Sequence, residues 1–295
     1  MGHIRVRDPI GGSNQSGLRD QNARLVLSYI RRHGAMASAE IARRSGLSAQ
    51  TVSNIVRALE TQGLLNREAA VKGRVGKPSV PMALRPEGTY GLGLSIGRRS
   101  LELVLVDFKG RRVDSESTVY PYPSKQVVYN FARTQTEALI SRHGLARSRV
   151  AGLGIARPNR IWEWGEFVGA PEGEMRDWQS TDLEAEMAAL TGLSTVLEND
   201  ATAACVAEHL LGRGHDLADF AYIFLGNFVG GGLVRARVDA VDRGHEPHPC
   251  HCLRGHHFGR GGREHSGGRC VPRHGAQPHH RPHRVRVLAT RYHRD

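Results

Sequence analysis

Apolar residues in the N-terminal part of the chain recur at the spacing of amphipathic helices in three short segments. The second segment covers residues 39–45 behind Ser38 as its N-cap. The third follows Ser48 as its N-cap and ends at Gly63. Gly46 provides the turn between them, and two short helices joined by such a turn after a leading helix predict a helix-turn-helix. The apolar positions are Ala23, Val26, Leu27 and Ile30 in the first segment, Ile41 and Ala42 in the second, and Val52, Ile55, Val56 and Leu59 in the third.

Residues 64–84 have the pattern of two short strands joined by a basic loop. The loop, residues 72–78, combines two glycines with three cations, among them Arg74 and Lys77. A basic loop beside a recognition helix is well placed to contact phosphates or to enter a minor groove. We therefore predict a winged helix-turn-helix DNA-binding domain over residues 14–85. The alternative is an ordinary three-helix bundle whose solvated face is polar.

The outward face of the third helix carries short polar side chains close to its N-terminus. Glutamine and asparagine can each pair with adenine through two hydrogen bonds, and a good pair contributes about 1–3 kcal/mol of discrimination between bases. The predicted contacts to base edges are Gln50, Thr51, Ser53 and Asn54, and the predicted contacts to phosphates or to a groove are Arg57, Arg74 and Lys77.

Further along the chain, apolar runs of strand length alternate with segments of helical period. Strands that alternate with helices predict an α/β sheet. The predicted strands cover residues 90–96, 101–106, 150–156, 194–197 and 220–225, and the predicted helices cover residues 125–143, 182–190 and 201–211.

The distribution of charge separates the head from the rest of the chain. The 295 residues carry a net charge of +12. Residues 1–85 hold 14 Lys/Arg against 5 Asp/Glu, whereas residues 86–234 hold 14 against 19. A basic head on an acidic body suggests that only the head meets a polyanion, with double-stranded DNA as the first candidate. No apolar stretch has the length of a membrane span and no secretory signal is visible, so we expect a cytoplasmic protein that does not contact the membrane.

Four features, taken together and in this order, resemble the ROK family of sugar-responsive repressors and sugar kinases. They are the helix-turn-helix head, the strand GLGLSIG at residues 91–97 with its partner strand, the sequence ENDA at residues 198–201, and the glycine-rich LGNFVGGGLV at residues 225–234. The family's repressors carry such a head, while its kinases generally begin at the first glycine-rich strand. The resemblance implies an actin-like (ribonuclease-H-like) ROK domain, here truncated and covering residues 88–234.

The resemblance argues against kinase activity in this chain. The family's kinases have an acidic residue and Gly-Gly-Thr in the first phosphate loop, where this sequence has Ser95 and Arg98-Arg99. Their second loop has Gly-Thr-Gly, where Phe228 stands here. A kinase needs a backbone cradle for phosphates, and both halves of that cradle are altered. We therefore expect no catalytic residues and no enzyme activity.

The resemblance also points to a sugar site. Asn199 and Asp200 occupy positions where family members bond sugar hydroxyls and where the kinases use the aspartate as a general base. Asn and Asp also suit a strand-to-helix turn as caps, and this interpretation stays open. Trp162, Trp164 and Trp178 could line a carbohydrate pocket or fill a gap between the lobes of the body; we favour the gap-filling interpretation.

The sequence changes character after residue 234. The last 61 residues hold 11 of the 16 histidines and no lysine, without helical or strand period. A segment of this kind buries too little apolar surface to offset its ordering entropy, so residues 235–295 are expected to be a disordered basic tail. Cys250 and Cys252 do not match the spacing of the family's zinc site, so we expect no metal and no cofactor. The tail is either a frameshift product or a basic arm that adds phosphate contacts.

These observations favour a homodimeric transcriptional regulator, acting as a repressor, that binds a palindromic operator and responds to a small sugar or sugar phosphate. Genes of carbohydrate metabolism, such as those for xylose, are its expected targets. Two alternatives remain open: a ROK sugar kinase, and a truncated product that binds DNA but does not sense sugar.

Overall fold

The computed structural model divides the chain into two compact units. The first contains the head and most of the body sheet, and the second contains the elements that follow residue 198 together with residues 156–161. The residues that the structure describes are 15–69, 80–225, 229–235 and 286–291.

The head consists of three helices followed by two short strands, as the sequence predicts. Helix α1 (Gln15–His33) leads into α2 (Ser38–Ser45) and α3 (Ala49–Thr61), and antiparallel strands β1 (Leu65–Arg67) and β2 (Met82–Leu84) follow. The turn between α2 and α3 contains Gly46 in the left-handed conformation, with φ of 70°, a region that favours glycine. Both helix boundaries at this turn, the end of α2 at Ser45 and the start of α3 at Ala49, agree with the sequence prediction.

The N-caps of the two helices differ. The side chain of Ser48 accepts a hydrogen bond from the Thr51 amide and caps α3, as predicted. Ser38 was expected to cap α2, but it is the first residue of that helix, and its N-cap is Ala37, which makes no side-chain cap bond. Because alanine offers no acceptor, the start of α2 relies on packing rather than on a side-chain cap.

A contiguous apolar core joins the helices and strands of the head. Met36 forms an isolated bridge with Met82, with N–H···O distances of 3.0 and 2.8 Å, so the segment before α2 extends the two-stranded wing by one rung. Helical periodicity placed most of the core correctly because each helix contributes one apolar face. The buried core residues are Val26, Ile30, Met36, Ile41, Val52, Val56, Leu59, Leu65, Met82 and Leu84.

The body sheet has five strands in the order β5-β4-β3-β6-β7. Strands β3, β4 and β5 pair antiparallel, and Ser95 of β3 pairs with Glu102 of β4. The strand bounds are β3 Tyr90–Ile96, β4 Ser100–Asp107, β5 Arg112–Val119, β6 Val150–Arg157 and β7 Thr195–Asn199; the helices of this region are α4 Lys125–Arg142, α5 Gly165–Val168, α6 Asp177–Ser180 and α7 Leu183–Thr191.

Strand β5 is the element of this sheet that the sequence did not predict. Its sequence, RVDSESTV, is largely polar, and none of its residues is buried. It lies at the edge of the sheet and pairs only with β4 among the described residues. An edge strand without buried positions lacks the apolar alternation on which a prediction depends.

The second unit contains helix α8 (Asp200–Leu211) and a three-stranded sheet in the order β10-β8-β9. Strand β8 (Asp219–Leu225) pairs antiparallel with β9 (Val229–Arg235) and parallel with β10 (Arg286–Arg291). Buried Cys205, Phe220, Tyr222 and Val234 form its core.

Strand β10 is a departure from the expected tail, in which no strand period was found. All six of its residues pair with β8, from Arg286 opposite Phe220 to Arg291 opposite Leu225. Such pairing uses backbone N–H and C=O groups, so a run of six residues can complete an open sheet edge without apolar alternation. The rest of the predicted tail, residues 236–285 and 292–295, lies outside the described residues.

Candidate DNA-binding helix and candidate sugar site

Helix α3 presents one apolar and one polar face. Val52, Val56 and Leu59 are buried in the head core. Gln50, Asn54 and Arg57 are exposed and follow one another at i, i+4 and i+7, so they lie on the same face of the helix. An exposed row of two amides and one guanidinium on the second helix of a helix-turn-helix has the chemistry that reads base edges in a major groove.

The structure separates the predicted base contacts into two groups. Gln50 Nε2 donates to Asn54 Oδ1 at 3.0 Å, which aligns the two amides along the helix. The hydroxyl of Thr51 lies 2.8 Å from that of Ser48, within the N-cap. Thr51 and Ser53 are only partly exposed. Gln50 and Asn54 are therefore the better placed pair, and Thr51 has a structural role in the cap.

Two acidic residues of the head, Glu40 and Glu60, form ion pairs with arginines. Glu40 on α2 bonds Arg43 and Arg44, and these contacts lower the pKa of Glu40 to about 2. Glu60, near the C-terminus of α3, bonds Arg67, which lowers the pKa of Glu60. Paired carboxylates repel a phosphate backbone less than lone ones, so the charge around α3 stays favourable for a polyanion.

Two predicted phosphate contacts cannot be placed. Arg74 and Lys77 belong to the loop between β1 and β2, at residues 70–79, which lies outside the described residues. The strands on either side of this loop are present and paired, with Leu65 opposite Leu84. The base of a wing is therefore in place beside α3.

Asn199 and Asp200 lie where β7 ends and α8 begins, as the resemblance implies. Asn199 is the N-cap of α8, and its Oδ1 accepts from the amides of Ala201 and Thr202 at 3.1 and 3.2 Å. Asp200 Oδ1 accepts from the Ala201 amide at 2.8 Å. Both side chains thus use an oxygen at the start of the helix, and both are partly exposed. The capping interpretation, left open by the sequence, describes real contacts of both residues.

The hairpin after Ser95 is a tight turn. Gly97 N donates to Ser100 O at 2.9 Å, and the buried Tyr120 hydroxyl lies 2.6 Å from Gly97 O. Arg98 donates to Phe167 O at 3.2 Å, and its guanidinium carbon lies 4.3 Å from the centre of the Phe167 ring. The arginine that replaces a small residue of the kinase loop thus packs on the body's own aromatic ring.

The glycine-rich run after β8 has a packing explanation. Gly230 and Gly231 lie inside strand β9, opposite Phe224 and Ile223 of β8. A Cβ on Gly230 would lie 2.8 Å from Ala201 Cβ, so α8 can approach β9 this closely only over a glycine. Phe228 lies outside the described residues.

Two of the three tryptophans fill space in the body. Trp178 is 1% exposed, and its Nε1 donates to Pro123 O at 2.8 Å. Trp164 is also buried, whereas Trp162 is partly exposed. Trp164 and Trp178 thus contribute to the core of the body, and the choice between a gap between lobes and a carbohydrate pocket stays a prediction.

No group of three metal-binding side chains occurs among the described residues. Cys250 and Cys252 lie outside them. Over the same part of the chain, no helix has the length and apolar character needed to cross a bilayer.

Two family profiles match the chain, one in the head and one in the body. The profile of the MarR family matches residues 16–74, which cover the head. The profile of the ROK family matches residues 91–253, more than half of the chain. This match continues beyond Val234, where the sequence motifs of the resemblance end.

Several relatives and one solved structure align with about two thirds or more of this chain. An uncharacterized protein of Sinorhizobium fredii is 25% identical over 214 residues, covering 72% of this chain and 54% of its own length. The xylose repressor of Bacillus subtilis is 19% identical over 222 residues, covering 75% and 57%. A transcriptional regulator of Mycobacterium tuberculosis is 27% identical over 197 residues, covering 66% and 44%.

The crystal structure of a ROK family transcriptional regulator, a homolog of the Escherichia coli MLC protein, aligns with a TM-score of 0.57 at 20% identity. The alignment covers 81% of this chain and 58% of that one, and it shows that the two share a fold: a winged helix-turn-helix followed by an actin-like ROK domain. The chain spans about half the length of the curated relatives it matches.

Proposed function

Because the chain belongs to the ROK family, we propose that it is a sequence-specific DNA-binding transcriptional regulator, acting as a repressor of sugar-metabolism genes. The observation that carries this proposal is the exposed row of Gln50, Asn54 and Arg57 on the second helix of the helix-turn-helix. The opposite face of the same helix packs into the head core through Val52, Val56 and Leu59. The head can therefore offer this row to a major groove without unfolding.

The row has the dimensions of a base-reading surface. Successive residues at i, i+4 and i+7 extend over about two turns of helix, or roughly 10 Å, which matches three neighbouring base pairs. In this proposal Gln50 and Asn54 contact base edges, and Arg57 contacts a phosphate or a guanine. Thr51 and Ser53 lie at the margins of this surface, and Arg74 and Lys77 add phosphate contacts from the wing.

In the proposed regulator, the body senses a small sugar or sugar phosphate. Asn199 and Asp200 support a site at the start of α8 by their position, since they lie between β7 and α8, where the resemblance to the family implies contacts to sugar hydroxyls. Two copies of the chain would place two heads on a palindromic operator, as helix-turn-helix dimers do. The name of the Bacillus subtilis relative, a xylose repressor, makes D-xylose the first sugar to test.

We do not assign an enzyme activity to the body. Support comes from the hairpin after Ser95, where Arg98 packs on Phe167 in place of a small residue, and from the glycine run, which β9 uses for packing against Ala201. Phosphoryl transfer depends on a preorganised backbone cradle, and neither segment offers one among its described residues. Sugar-dependent release of ADP by the pure protein would contradict this assignment.

Selection of operator sequences from random double-stranded DNA tests the proposed function. The full chain is expected to enrich a palindromic site and to bind it at least about 1,000-fold more tightly than unrelated DNA at physiological salt. Recovery of no preferred sequence would contradict sequence-specific regulation. Repeating the measurement with D-xylose, glucose and glucose 6-phosphate then tests the sensor.

The salt dependence of binding tests the phosphate contacts. Neutralising Lys77 or Arg57, as Lys77→Gln or Arg57→Gln, should weaken binding to all sequences and reduce the slope of log K against log salt by about one unit. Lys125→Gln, a neutralised lysine of the body at the start of α4, serves as the control and should leave the slope unchanged. An unchanged slope for Lys77→Gln would contradict a phosphate contact by Lys77.

A further inference from the structure

The segment that leaves the head is short and bonded along its length. Strand β2 ends at Leu84 and β3 begins at Tyr90, so only residues 85–89 connect them. Arg85 N donates to Leu64 O at 3.0 Å, and Gly88 N donates to Arg85 O at 2.9 Å. The connection is thus a folded part of the head rather than a flexible linker.

Gly88 brings this connection against both the head and the body. A Cβ at Gly88 would lie 3.0 Å from Gly63 O and 3.4 Å from the ring of Phe108. Gly63 belongs to the turn after α3, and Phe108 belongs to the turn between β4 and β5. Gly88 is buried. The backbone of the connection therefore lies in the contact between the recognition helix's end and the body sheet.

Phe108 is an aromatic residue of the body that packs on the head. Its side chain is half-buried against the head core, and its N–H donates to Pro86 O at 2.9 Å. The turn that holds it is fixed by Asp107, whose Oδ1 accepts from the amides of Lys109 and Arg111 at 2.8 and 2.9 Å. The position of the ring is therefore set by the body sheet and its burial is provided by the head.

One arginine of the head and one of the body contact the connection and the ring of Phe108 or its neighbours. From α1, Arg31 donates to Phe108 O at 3.4 Å, and its guanidinium carbon lies 5.7 Å from the centre of the Phe108 ring. Arg149, directly before β6, donates from its guanidinium group to Glu87 O, and its main-chain carbonyl oxygen accepts from Thr89 Oγ1 at 3.0 Å. The connection is thus held on one side by α1 and on the other by the central sheet.

We propose that Phe108 is a positioning residue that couples the body to the DNA-binding helix, so that a change in the β3–β4–β5 sheet moves the head instead of being lost in the connection. The proposal rests on the proposed function, because a coupled head matters only if it binds DNA. A ligand of the body can alter DNA affinity only through contacts that differ between two states. An aromatic ring seated in an apolar core is such a contact, since packed cores repack between discrete arrangements.

Hydrogen exchange of the full chain, in the absence of DNA, tests the mechanical part. Phe108→Ala is expected to speed amide exchange at residues 82–90 by about tenfold or more, because the bonds of the connection open once the ring is gone. Phe108→Leu, which keeps an apolar side chain in place, is expected to restore most of the protection. Unchanged exchange at residues 82–90 in Phe108→Ala would overturn the proposal.

Phe167→Ala is a matched control. Phe167 is also contacted by an arginine that stacks on its ring and donates to its carbonyl oxygen, but it lies within the body at α5. This variant should leave exchange at residues 82–90 at the wild-type rate. An equal increase in both variants would indicate general destabilisation and would overturn a specific role of Phe108. If Phe108→Ala does not fold, Arg31→Gln takes its place, with an expected increase of about threefold; no increase there would also overturn the proposal.

DNA binding provides the functional readout. The Phe108→Ala chain should bind the selected operator within about threefold of wild type, because α3 and its exposed row are untouched. It should lose the change in operator affinity that the effective sugar causes in wild type. A full sugar response in this variant would overturn the coupling. Failure of the wild-type chain to bind any DNA would instead contradict the proposed function, and the exchange result alone would then decide whether Phe108 joins head and body.

Discussion

Helices α3 and α8 begin with nearly the same cap, and they use their polar residues differently. Ser48 has φ and ψ of −63° and 148°, and Asn199 has −65° and 141°; both accept hydrogen bonds from amides of the first turn. In α3 the cap precedes the residues proposed to bind, so Gln50 and Asn54 remain on an exposed face. In α8 the cap is itself a proposed ligand residue. Under the proposed function, the residues that bind and the residue that caps the helix are different in α3, whereas Asn199 would do both in α8.

The largest expected effect concerns the exposed row of α3. The double variant Gln50→Ala/Asn54→Ala should lose roughly 100-fold in preference for the operator over unrelated DNA, because each amide pair with a base contributes about 1–3 kcal/mol. Its free energy of unfolding should change by less than about 1 kcal/mol, since both residues are solvated. Competition binding and thermal unfolding measure the two quantities.

Gln179→Ala, an exposed glutamine on a helix of the body, is the control for this double variant and should change neither quantity. A double variant that retained full operator preference would remove Gln50 and Asn54 from the interface. A large loss of stability would instead break the contrast with α8, because binding and folding would then be shared in the head as well.

The second effect tests the close packing of α8 on β9. Gly230→Ala should destabilise the second unit by about 1–3 kcal/mol, since the new Cβ would lie 2.8 Å from Ala201 Cβ and overpacking carries a cost of that size. Gly91→Ala in β3 is the matched strand glycine, where a Cβ would lie at an ordinary 3.4 Å from Val106, and it should be nearly neutral. Chemical denaturation compares them; equal effects would contradict the packing explanation of the glycine run.

The third effect separates the two roles of Asn199. Asn199→Ala should lower the free energy of unfolding by about 1 kcal/mol even without sugar, because the amides of Ala201 and Thr202 lose their cap. Asn199→Asp keeps an oxygen at the same place and should retain that stability while changing the response to sugar. If Asn199→Ala proved as stable as wild type, the cap contacts would contribute nothing to the free energy of unfolding. The contrast with α3 would then disappear.

The smallest effect is that of pH on exposed ion pairs. Arg43 and Arg44 hold the pKa of Glu40 at about 2 in the head, and His143 is the main cause of a pKa of about 2 for Asp114 in the body. A carboxylate with a lowered pKa stabilises the fold above its unfolded pKa, and this contribution is lost as the pH falls from roughly 5 towards 2. Glu40→Gln and Asp114→Asn should each flatten the acid limb of an unfolding titration slightly, since exposed pairs are screened. A steeper acid limb in either variant would contradict the sign.

The sequence predicts well what local spacing determines. The helices of the head follow from residues three and four apart, and Ser48 caps α3 where its position before an apolar stripe suggests. The junction at Phe108 was not predictable in this way, because Arg31 contacts it across 77 positions of the chain. Strand β10 was not predicted for the same reason, because it is formed by pairing with β8, which is distant in the sequence. Asn199 falls between these cases: the sequence indicates both a cap and a ligand, and only the bonds to Ala201 and Thr202 establish the cap.

The five-residue connection between β2 and β3 has a consequence for the DNA that a dimer could accept. Heads on flexible linkers can follow half-sites that are moved apart, whereas heads seated on their bodies hold one separation and one rotation. Each inserted base pair turns a half-site by about a tenth of a helical turn. Natural operators of the proposed regulator should therefore share a single spacer length, and their half-sites should vary in sequence far more freely than in distance.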